Sequence, residues 1–203
     1  MTVALIDAGG ANLGSVRYAL ARLGVEPRIV RDADALGAPE RIILPGVGAA
    51  APAMTLLRER GLDRALAASA APLLGICLGM QLLFASSAEG DVECLGLLPG
   101  RVEKLRASEG VRIPHMGWNR LEPRPRADGA PWRLLDGVET GAYAYFVHSY
   151  AVPVVDCTAA STTHGAAFSA AIESGRLYGM QFHPERSSEV GLRMLANFLK
   201  VPA

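Results

Sequence analysis

A cysteine between two glycines is the strongest sign of chemistry in the chain. The segment Gly75-Ile76-Cys77-Leu78-Gly79 stands where an apolar strand gives way to a helix. A nucleophile in this pattern sits on a sharp strand-to-helix turn that lifts its side chain clear of the sheet. The helix N-terminus beside it favours the thiolate. Taken alone, the pentapeptide fits equally well a buried structural cysteine, the usual environment of a free thiol.

A cysteine nucleophile also needs a base, and the chain offers four histidines. One of them lies in Gln181-Phe182-His183-Pro184-Glu185, between a predicted strand and the last predicted helix. A carboxylate two residues beyond a histidine, with proline shaping the turn, could orient the imidazole ring. The pattern predicts Cys77 as nucleophile, His183 as general base and acid, and Glu185 as the group that orients His183.

Acyl transfer further requires donors for an oxyanion. The main-chain N–H of Leu78, directly after the cysteine, is one predicted donor, and the loop Gly46-Val47-Gly48 is predicted to supply the second. The same glycines allow an alternative, because Gly46-x-Gly48-x-x-Ala51 resembles part of a dinucleotide-binding fingerprint. Pro52 and the lack of an acidic residue about 20 positions further on argue against that alternative.

These motifs lie on a regular alternation of predicted elements. Strands are predicted at residues 3–7, 28–30, 41–44 and 73–76, with helices at 12–23, capped by Asn12, and at 53–70, broken near Gly61. A second helix is predicted after the cysteine turn. Six short strands (101–105, 118–121, 142–145, 159–163, 168–172 and 177–181) and a helix at 188–200 complete the chain. The pattern predicts one α/β domain over residues 1–203, with a central mixed, mainly parallel sheet flanked by helices.

Composition excludes several classes of protein. The 203 residues carry 20 basic and 20 acidic side chains, so the chain lacks the positive charge of a nucleic-acid binder. The chain has three cysteines and no C-x-x-C pair, so we expect neither a disulfide framework nor a metal site. This cysteine content favours a reducing, cytoplasmic environment. Residues 65–88 are uncharged and long enough to cross a bilayer, but Pro72, Gly75 and Gly79 divide them into shorter elements.

Together the motifs resemble a known family. Pro-Gly-Val-Gly at 45–48, Gly-Ile-Cys-Leu-Gly-Met-Gln at 75–81 and Gln-Phe-His-Pro-Glu at 181–185 are similar, in order and separation, to class I (triad) glutamine amidotransferases. The segments 113–119 and 145–150 resemble glutaminase subunits of imidazole glycerol phosphate synthase. Two alternatives stay open: the glutaminase subunit of another amidotransferase, such as the pyridoxal phosphate synthase type, and a catalytically silent interaction subunit.

The resemblance implies a flavodoxin-like fold and glutamine hydrolysis that supplies ammonia to a (β/α)8 cyclase, or synthase, subunit in a heterodimer. It implies no cofactor, no metal, no nucleic acid and no membrane. By position, it assigns glutamine binding to Gln81, Glu89, His148, Ser149 and Tyr150. It assigns the ammonia exit and partner interface to Asn12, Trp118 and Tyr145. The chain departs from the family pattern at residues 7–12, where Asp-Ala-Gly-Gly-Ala-Asn replaces the more usual Asp-Tyr-Gly-x-Gly-Asn.

Overall fold

The computed structural model describes residues 1–9 and 12–202. Its strands are β1 (Val3–Ile6), β2 (Arg28–Val30), β3 (Arg41–Gly46), β4 (Leu73–Cys77), β5 (Phe84–Ser87), β6 (Val92–Glu93), β7 (Leu98–Lys104), β8 (His115–Arg120), β9 (Glu122–Pro123), β10 (Tyr143–His148), β11 (Tyr150–Ala151), β12 (Thr158–His164), β13 (Ala166–Ser174) and β14 (Leu177–Met180). Its α-helices are α1 (Leu13–Arg22), α2 (Ala33–Leu36), α3 (Ala50–Glu59), α4 (Leu62–Ala68), α5 (Leu78–Gln81) and α6 (Ser188–Lys200).

The central sheet has the predicted mixed character. Within the described ranges, eight strands follow the order β2-β1-β3-β4-β14-β13-β12-β9. The pairs from β2 to β14 are parallel, and the pairs from β14 to β9 are antiparallel. The predicted α/β architecture is therefore confirmed, and β4 lies within the parallel part, between β3 and β14.

Helices cover both faces of the parallel part of this sheet, so central strands such as β1 and β4 are almost continuously apolar. Because successive side chains of a strand point to opposite faces, Ile43 lies in a core with residues of α1 and α6. Its neighbours Ile42 and Leu44 lie in a second core with residues of α3 and α4. All three side chains are fully buried.

The segment after the cysteine turn differs from the prediction. The expected second helix is only the single turn α5, and the chain then enters β5, which pairs parallel with β7. Phe84 and Ser87 of β5 are fully buried in this pairing, so tertiary contacts override the helical interpretation of this apolar run. β5 belongs to a smaller sheet of order β11-β7-β5-β6, and β8 pairs with β10 in a two-stranded sheet.

The other helices follow the predicted pattern more closely. The break near Gly61 is confirmed, since this glycine separates α3 from α4 with φ +66°. In α6, Leu195 and Phe198 are buried as expected, whereas Leu192 and Leu199 are only partly buried and Met194 takes a core position. In the part of the chain that the structure describes, no helix combines the length and apolarity needed to cross a membrane.

Candidate active site

Cys77 occupies a strained turn between β4 and α5. Its backbone has φ 53° and ψ −112°, an unusual conformation for a residue with a side chain and one that costs about 1–3 kcal/mol. The two flanking glycines make the turn possible. A Cβ on Gly75 would lie 2.5 Å from the oxygen of Gly79, and a Cβ on Gly79 would lie 1.8 Å from the oxygen of Leu44. The spacing of glycines around the cysteine thus has a steric cause.

Strand register brings the three sequence motifs together. Gly46, at the end of β3, is the partner of Cys77, at the end of β4. On the other side of β4, Met180 pairs with Ile76, so the segment that follows β14 also begins beside the cysteine. Since the three strands are parallel neighbours, their carboxyl ends open at the same edge of the sheet, where ligand sites of such folds lie.

His183 and Glu185 form a buried pair in this segment. His183 Nδ1 donates to Glu185 Oε1 at 2.9 Å, and their side chains are 6% and 1% exposed. Burial alone would lower the pKa of His183, but hydrogen bonds to Cys77 and Glu185 raise it to about 10. Burial would raise the pKa of Glu185, but His183 and the amide of Asn12 hold it below its usual value. The imidazole therefore carries a proton at neutral pH.

The backbone of His183 is fixed by β10 and by a serine that the sequence analysis missed. The amide of His183 donates to the oxygen of Tyr145 at 3.0 Å. Ser187 Oγ donates to the oxygen of His183 at 2.7 Å and accepts from the amide of Tyr145 at 2.9 Å. A serine four residues after the histidine carries no sequence signal for this role, because it depends on where β10 lies.

Asn12 is the clearest departure from the sequence analysis. It occupies the predicted N-cap position of α1, but its side chain makes no capping hydrogen bond there. Instead, Asn12 Nδ2 donates to Glu185 Oε1 at 2.8 Å and lies 3.3 Å from His183 Nδ1. The Asn12 amide thus bonds to the strongly accepting carboxylate of Glu185 and not to the end of α1. Of the atypical N-terminal segment, residues 10 and 11 lie outside the described residues.

A cleft of about 380 Å³ opens in front of Cys77. Most predicted site residues line it, together with Val147 and Arg186: Asn12, Val47, Gly48, Cys77, Leu78, Gln81, Glu89, His148, Ser149, Tyr150 and His183. The other predicted residues lie outside its lining, namely Gly46, Glu185, Trp118 and Tyr145. Its size falls at the low end of the range typical of small-molecule sites.

Gln81 and Glu89 each make contacts that limit what they can offer a ligand. Gln81 Nε2 donates to the oxygen of Tyr150 at 2.8 Å and to Gln181 Oε1 at 3.0 Å, so both of its N–H groups are used within the protein. Its oxygen is left for a donor in the cleft. Glu89 Oε2 accepts from the amide of Ala50, at the start of α3, at 3.0 Å. These contacts fix both side chains at the wall of the cleft.

His148 faces the cleft but uses both ring nitrogens internally. Its Nδ1 lies 2.9 Å from the oxygen of Tyr150, and its Nε2 lies 3.0 Å from His115 Nδ1. Since the carbonyl can only accept, His148 donates through Nδ1 and accepts from His115 through Nε2. Burial lowers the pKa of His148 to about 3 and that of His115 to about 4, so both rings are neutral. Asn119 Nδ2 donates to the free nitrogen of His115 at 3.2 Å.

Trp118 and Tyr145 meet on the outer face of the β8–β10 pair, as strand partners with ring centroids 6.0 Å apart. Because side chains alternate along a strand, the same face presents Met116 and Tyr143. Met116 is 64% exposed, Trp118 53% and Tyr143 48%. A guanidinium from the cleft, that of Arg186, lies 4.6 Å from the centre of the Tyr145 ring. Met116, Trp118 and Tyr143 thus form an exposed face of large apolar side chains.

The remaining cysteines lie away from this cleft. Burial raises the pKa of Cys94 to about 11 and also raises that of Cys157, so both remain thiols at neutral pH. Across residues 1–9 and 12–202, no group of three or more histidine, cysteine, aspartate or glutamate side chains could hold a metal ion.

Comparison with known proteins gives consistent matches. Residues 4–201 match the model of the family described as Glutamine amidotransferase class-I. Two curated relatives, each described as imidazole glycerol phosphate synthase subunit HisH, are 58% identical. The one from Xanthomonas euvesicatoria aligns over 98% of this chain and 97% of its own length. The one from Xylella fastidiosa, strain Temecula1, aligns over 99% and 98%.

Solved structures share the fold. A structure described as a glutamine amidotransferase, with no organism named, superposes with a TM-score of 0.75 at 20% identity, covering 98% of both chains. A putative GMP synthase protein from Thermoplasma acidophilum superposes with a TM-score of 0.73 at 21% identity, covering 98% of this chain and 92% of its own. At this level of identity, the likeness concerns the fold alone.

Proposed function

Since the chain belongs to the class I glutamine amidotransferase family, we propose that it is the glutaminase subunit of an imidazole glycerol phosphate synthase. The subunit hydrolyses glutamine to glutamate and ammonia and passes the ammonia to a (β/α)8 synthase subunit, in histidine biosynthesis in the cytoplasm. The whole chain, residues 1–203, acts as one glutaminase domain. The observation that carries the proposal is the strained Cys77 beside the buried His183–Glu185 pair.

His183 enters the reaction as imidazolium, because its pKa is raised to about 10 in contact with Cys77 and Glu185. Cys77 attacks as the thiolate, the nucleophilic form of a cysteine. The sulfur attacks the side-chain amide carbon of glutamine, and the imidazolium gives its proton to the departing ammonia. A γ-glutamyl thioester and a neutral imidazole result. The imidazole then takes a proton from water, whose oxygen attacks the thioester, and glutamate leaves as the thiolate and imidazolium re-form.

The negative oxygen of each tetrahedral intermediate is stabilised by main-chain N–H groups. One belongs to Leu78, directly after the nucleophile, and the other to the Gly46-Val47-Gly48 loop. The strand pairing of Gly46 with Cys77 supports this assignment, because it starts the loop next to the sulfur. Removal of one such donor costs about 10²–10³ in rate, so the orientation of this loop controls turnover.

Glutamine is held at its amino-acid end by Gln81, Glu89 and the segment His148-Ser149-Tyr150. The ammonium of the substrate pairs with the Glu89 carboxylate and donates to the Gln81 oxygen, which is the free end of that amide. The neutral, internally bonded ring of His148 leaves its segment to act through main-chain groups. A substrate without an ammonium would leave the acid unpaired, and this selects for glutamine among simple amides.

The synthase subunit docks on the outer face of β8 and β10, around Trp118 and Tyr145, and ammonia leaves the cleft on the same side near Asn12. The exposed apolar side chains of this face support the assignment. The main-chain oxygen of Tyr145 also accepts from the amide of His183, so β10 carries part of the docking face and contacts the base. Docking there closes the exit from the cleft against solvent.

A paired assay of glutamate and imidazole product tests the proposal, with the chain mixed with a cognate synthase subunit. Cys77→Ala should abolish synthesis from glutamine and leave synthesis from ammonium salt near normal, because only the ammonia supply is lost. Trp118→Ala should let glutamate release exceed product formation. Cys157→Ser is the matched control and should behave as wild type.

Four outcomes would contradict the proposal. Product formation from glutamine by Cys77→Ala would exclude this cysteine as the nucleophile. Failure of that variant with free ammonia, despite a formed complex, would show that the chain does more than supply ammonia. Absence of glutaminase activity in the wild-type complex would favour a catalytically silent subunit, and activity only with a pyridoxal phosphate synthase partner would favour the other amidotransferase.

A further inference from the structure

One side chain in contact with the Cys77 sulfur has no role in the mechanism above. Gln181 follows β14 directly and is fully buried. Its Nε2 lies 3.8 Å from Cys77 Sγ, within the range of an N–H···S hydrogen bond. The register of β14 against β4, with Met180 opposite Ile76, sets this proximity. We propose that Gln181 is a further catalytic residue of the glutaminase reaction, which stabilises the Cys77 thiolate by donating a hydrogen bond to its sulfur.

The contacts of Gln81 fix which end of the Gln181 amide faces the sulfur. The main-chain oxygen of Tyr150 can only accept, so Gln81 presents its nitrogen to it at 2.8 Å. The second N–H of the same nitrogen points to Gln181 at 3.0 Å and requires an acceptor there, the Gln181 oxygen. The nitrogen of Gln181 is therefore turned towards Cys77, and a donor, not an acceptor, faces the sulfur.

A donor in this position favours the charged form of the nucleophile. A hydrogen bond to an ionised group stabilises that group over its neutral form, and the effect is larger in a buried site. His183 pairs with the sulfur and with Glu185, and Gln181 reaches the sulfur from β14.

Gln81 connects this contact to substrate binding. Its nitrogen orients Gln181, while its oxygen remains free in the cleft. Gln81 is therefore the positioning residue for Gln181, and one side chain serves the glutamine pocket and the nucleophile. The inference rests on the proposed glutaminase function for its consequence in turnover, but the state of the thiol can be measured without glutamine.

The test is the rate of Cys77 alkylation by iodoacetamide as a function of pH, with the adduct located by peptide mass spectrometry. Gln181→Met keeps the length of the side chain and removes the donor. We expect the pH midpoint of alkylation to rise by about one unit, which is a tenfold smaller thiolate fraction below the midpoint. The turnover number should fall by a similar factor, and KM should rise as well, because the methionine also removes the acceptor of the Gln81 amide. Met180→Leu, a buried neighbour without hydrogen-bonding groups, should leave the midpoint unchanged.

A second variant and a wild-type measurement keep the test decisive. Gln181→Glu has the shape of glutamine but places a carboxylate beside the sulfur. The pH midpoint of Cys77 alkylation should therefore rise at least as far in this variant as in Gln181→Met. If the methionine variant does not fold, the glutamate variant takes its place in the test. In the wild type, the Gln181 side-chain amide protons should shift in NMR spectra as Cys77 ionises.

The proposal would be overturned if the folded Gln181 variants had the same pH midpoint of Cys77 alkylation as wild type. It would also be overturned if the side-chain amide protons of Gln181 did not shift as Cys77 ionises. A purely structural role would instead lower the thermal midpoint and leave the alkylation profile in place. If the wild-type complex lacks glutaminase activity, the proposed function fails, while the alkylation profiles still decide the role of Gln181.

Discussion

Mild acid is expected to destabilise the protein through two buried histidines, and His115→Phe should remove about half of that effect. Burial, with the nearby charge of His164, lowers the pKa of His115 to about 4. Burial also lowers the pKa of His148 to about 3. The two rings are 4% and 7% exposed, and each lies within reach of the other at 3.0 Å. Protonation of His148 at Nε2 would break this contact, and protonation of His115 at Nε2 would break the hydrogen bond that it accepts from Asn119.

The sign follows from proton uptake. In the unfolded chain both histidines titrate near their ordinary pKa of about 6.5, so between that pH and the folded pKa values the unfolded state binds more protons. Stability contributed by the neutral rings is present above pH 6.5 and is lost as the pH falls towards 4. From pH 7 to pH 5 the loss is about 2 kcal/mol for each histidine and about 4 kcal/mol for the two together.

Urea denaturation at a series of pH values between 7 and 5, followed by circular dichroism, measures this loss. Phenylalanine keeps the stacking of position 115 on Phe146 but leaves the His148 ring without its donor, so the variant should also be less stable at pH 7 by about 1–3 kcal/mol. The readout is therefore the change with pH. The loss of unfolding free energy between pH 7 and pH 5 is compared between wild type and His115→Phe. The difference between the two losses is the contribution of His115, because the other titrating groups are common to both proteins.

His164→Gln is the matched control. His164 stacks on His115 with ring centroids 4.2 Å apart but is only partly buried, so this variant should keep most of the acid-induced loss. A wild-type unfolding free energy that stays flat from pH 7 to pH 5, or equal slopes for wild type and His115→Phe, would refute the idea that these rings are held neutral by burial.

The remaining predictions concern a glycine, an asparagine and a cysteine. Gly79→Ala should prevent folding, because its Cβ would lie 1.8 Å from the Leu44 oxygen; a native circular dichroism spectrum would contradict this close approach. Asn12→Ala should lower the turnover number about tenfold through the lost hydrogen bond to Glu185, whereas unchanged turnover would show that His183 needs no such support. Cys94→Ser should retain full glutaminase activity, since burial keeps this thiol protonated; loss of activity in the folded variant would contradict that.

Local patterns in the chain were enough to predict the fold class and to single out the candidate catalytic residues. Apolar runs bounded by turn residues predicted the alternating elements and the parallel sheet, because burial on both faces leaves a local signature in central strands such as β1, β3 and β4. The spacing of His183 and Glu185 likewise predicted that the two side chains pair. The spacing of the glycines around Cys77 predicted the sharp turn at the candidate nucleophile. Steric need explains this: with Cβ contacts of 2.5 Å and 1.8 Å at Gly75 and Gly79, no other residue fits.

Only the tertiary structure determines which polar groups that lie far apart in the sequence form hydrogen bonds. Asn12 carries the sequence signature of a helix cap, yet its amide bonds to Glu185, 173 positions away. Gln181 reads as part of a motif, yet only the register of β14 beside β4 brings its amide to the sulfur of Cys77. The short α5 is another such case, since pairing with β7 draws the next residues into β5. Hydrogen bonds between distant residues depend on register and orientation, and these have no local signature in the chain.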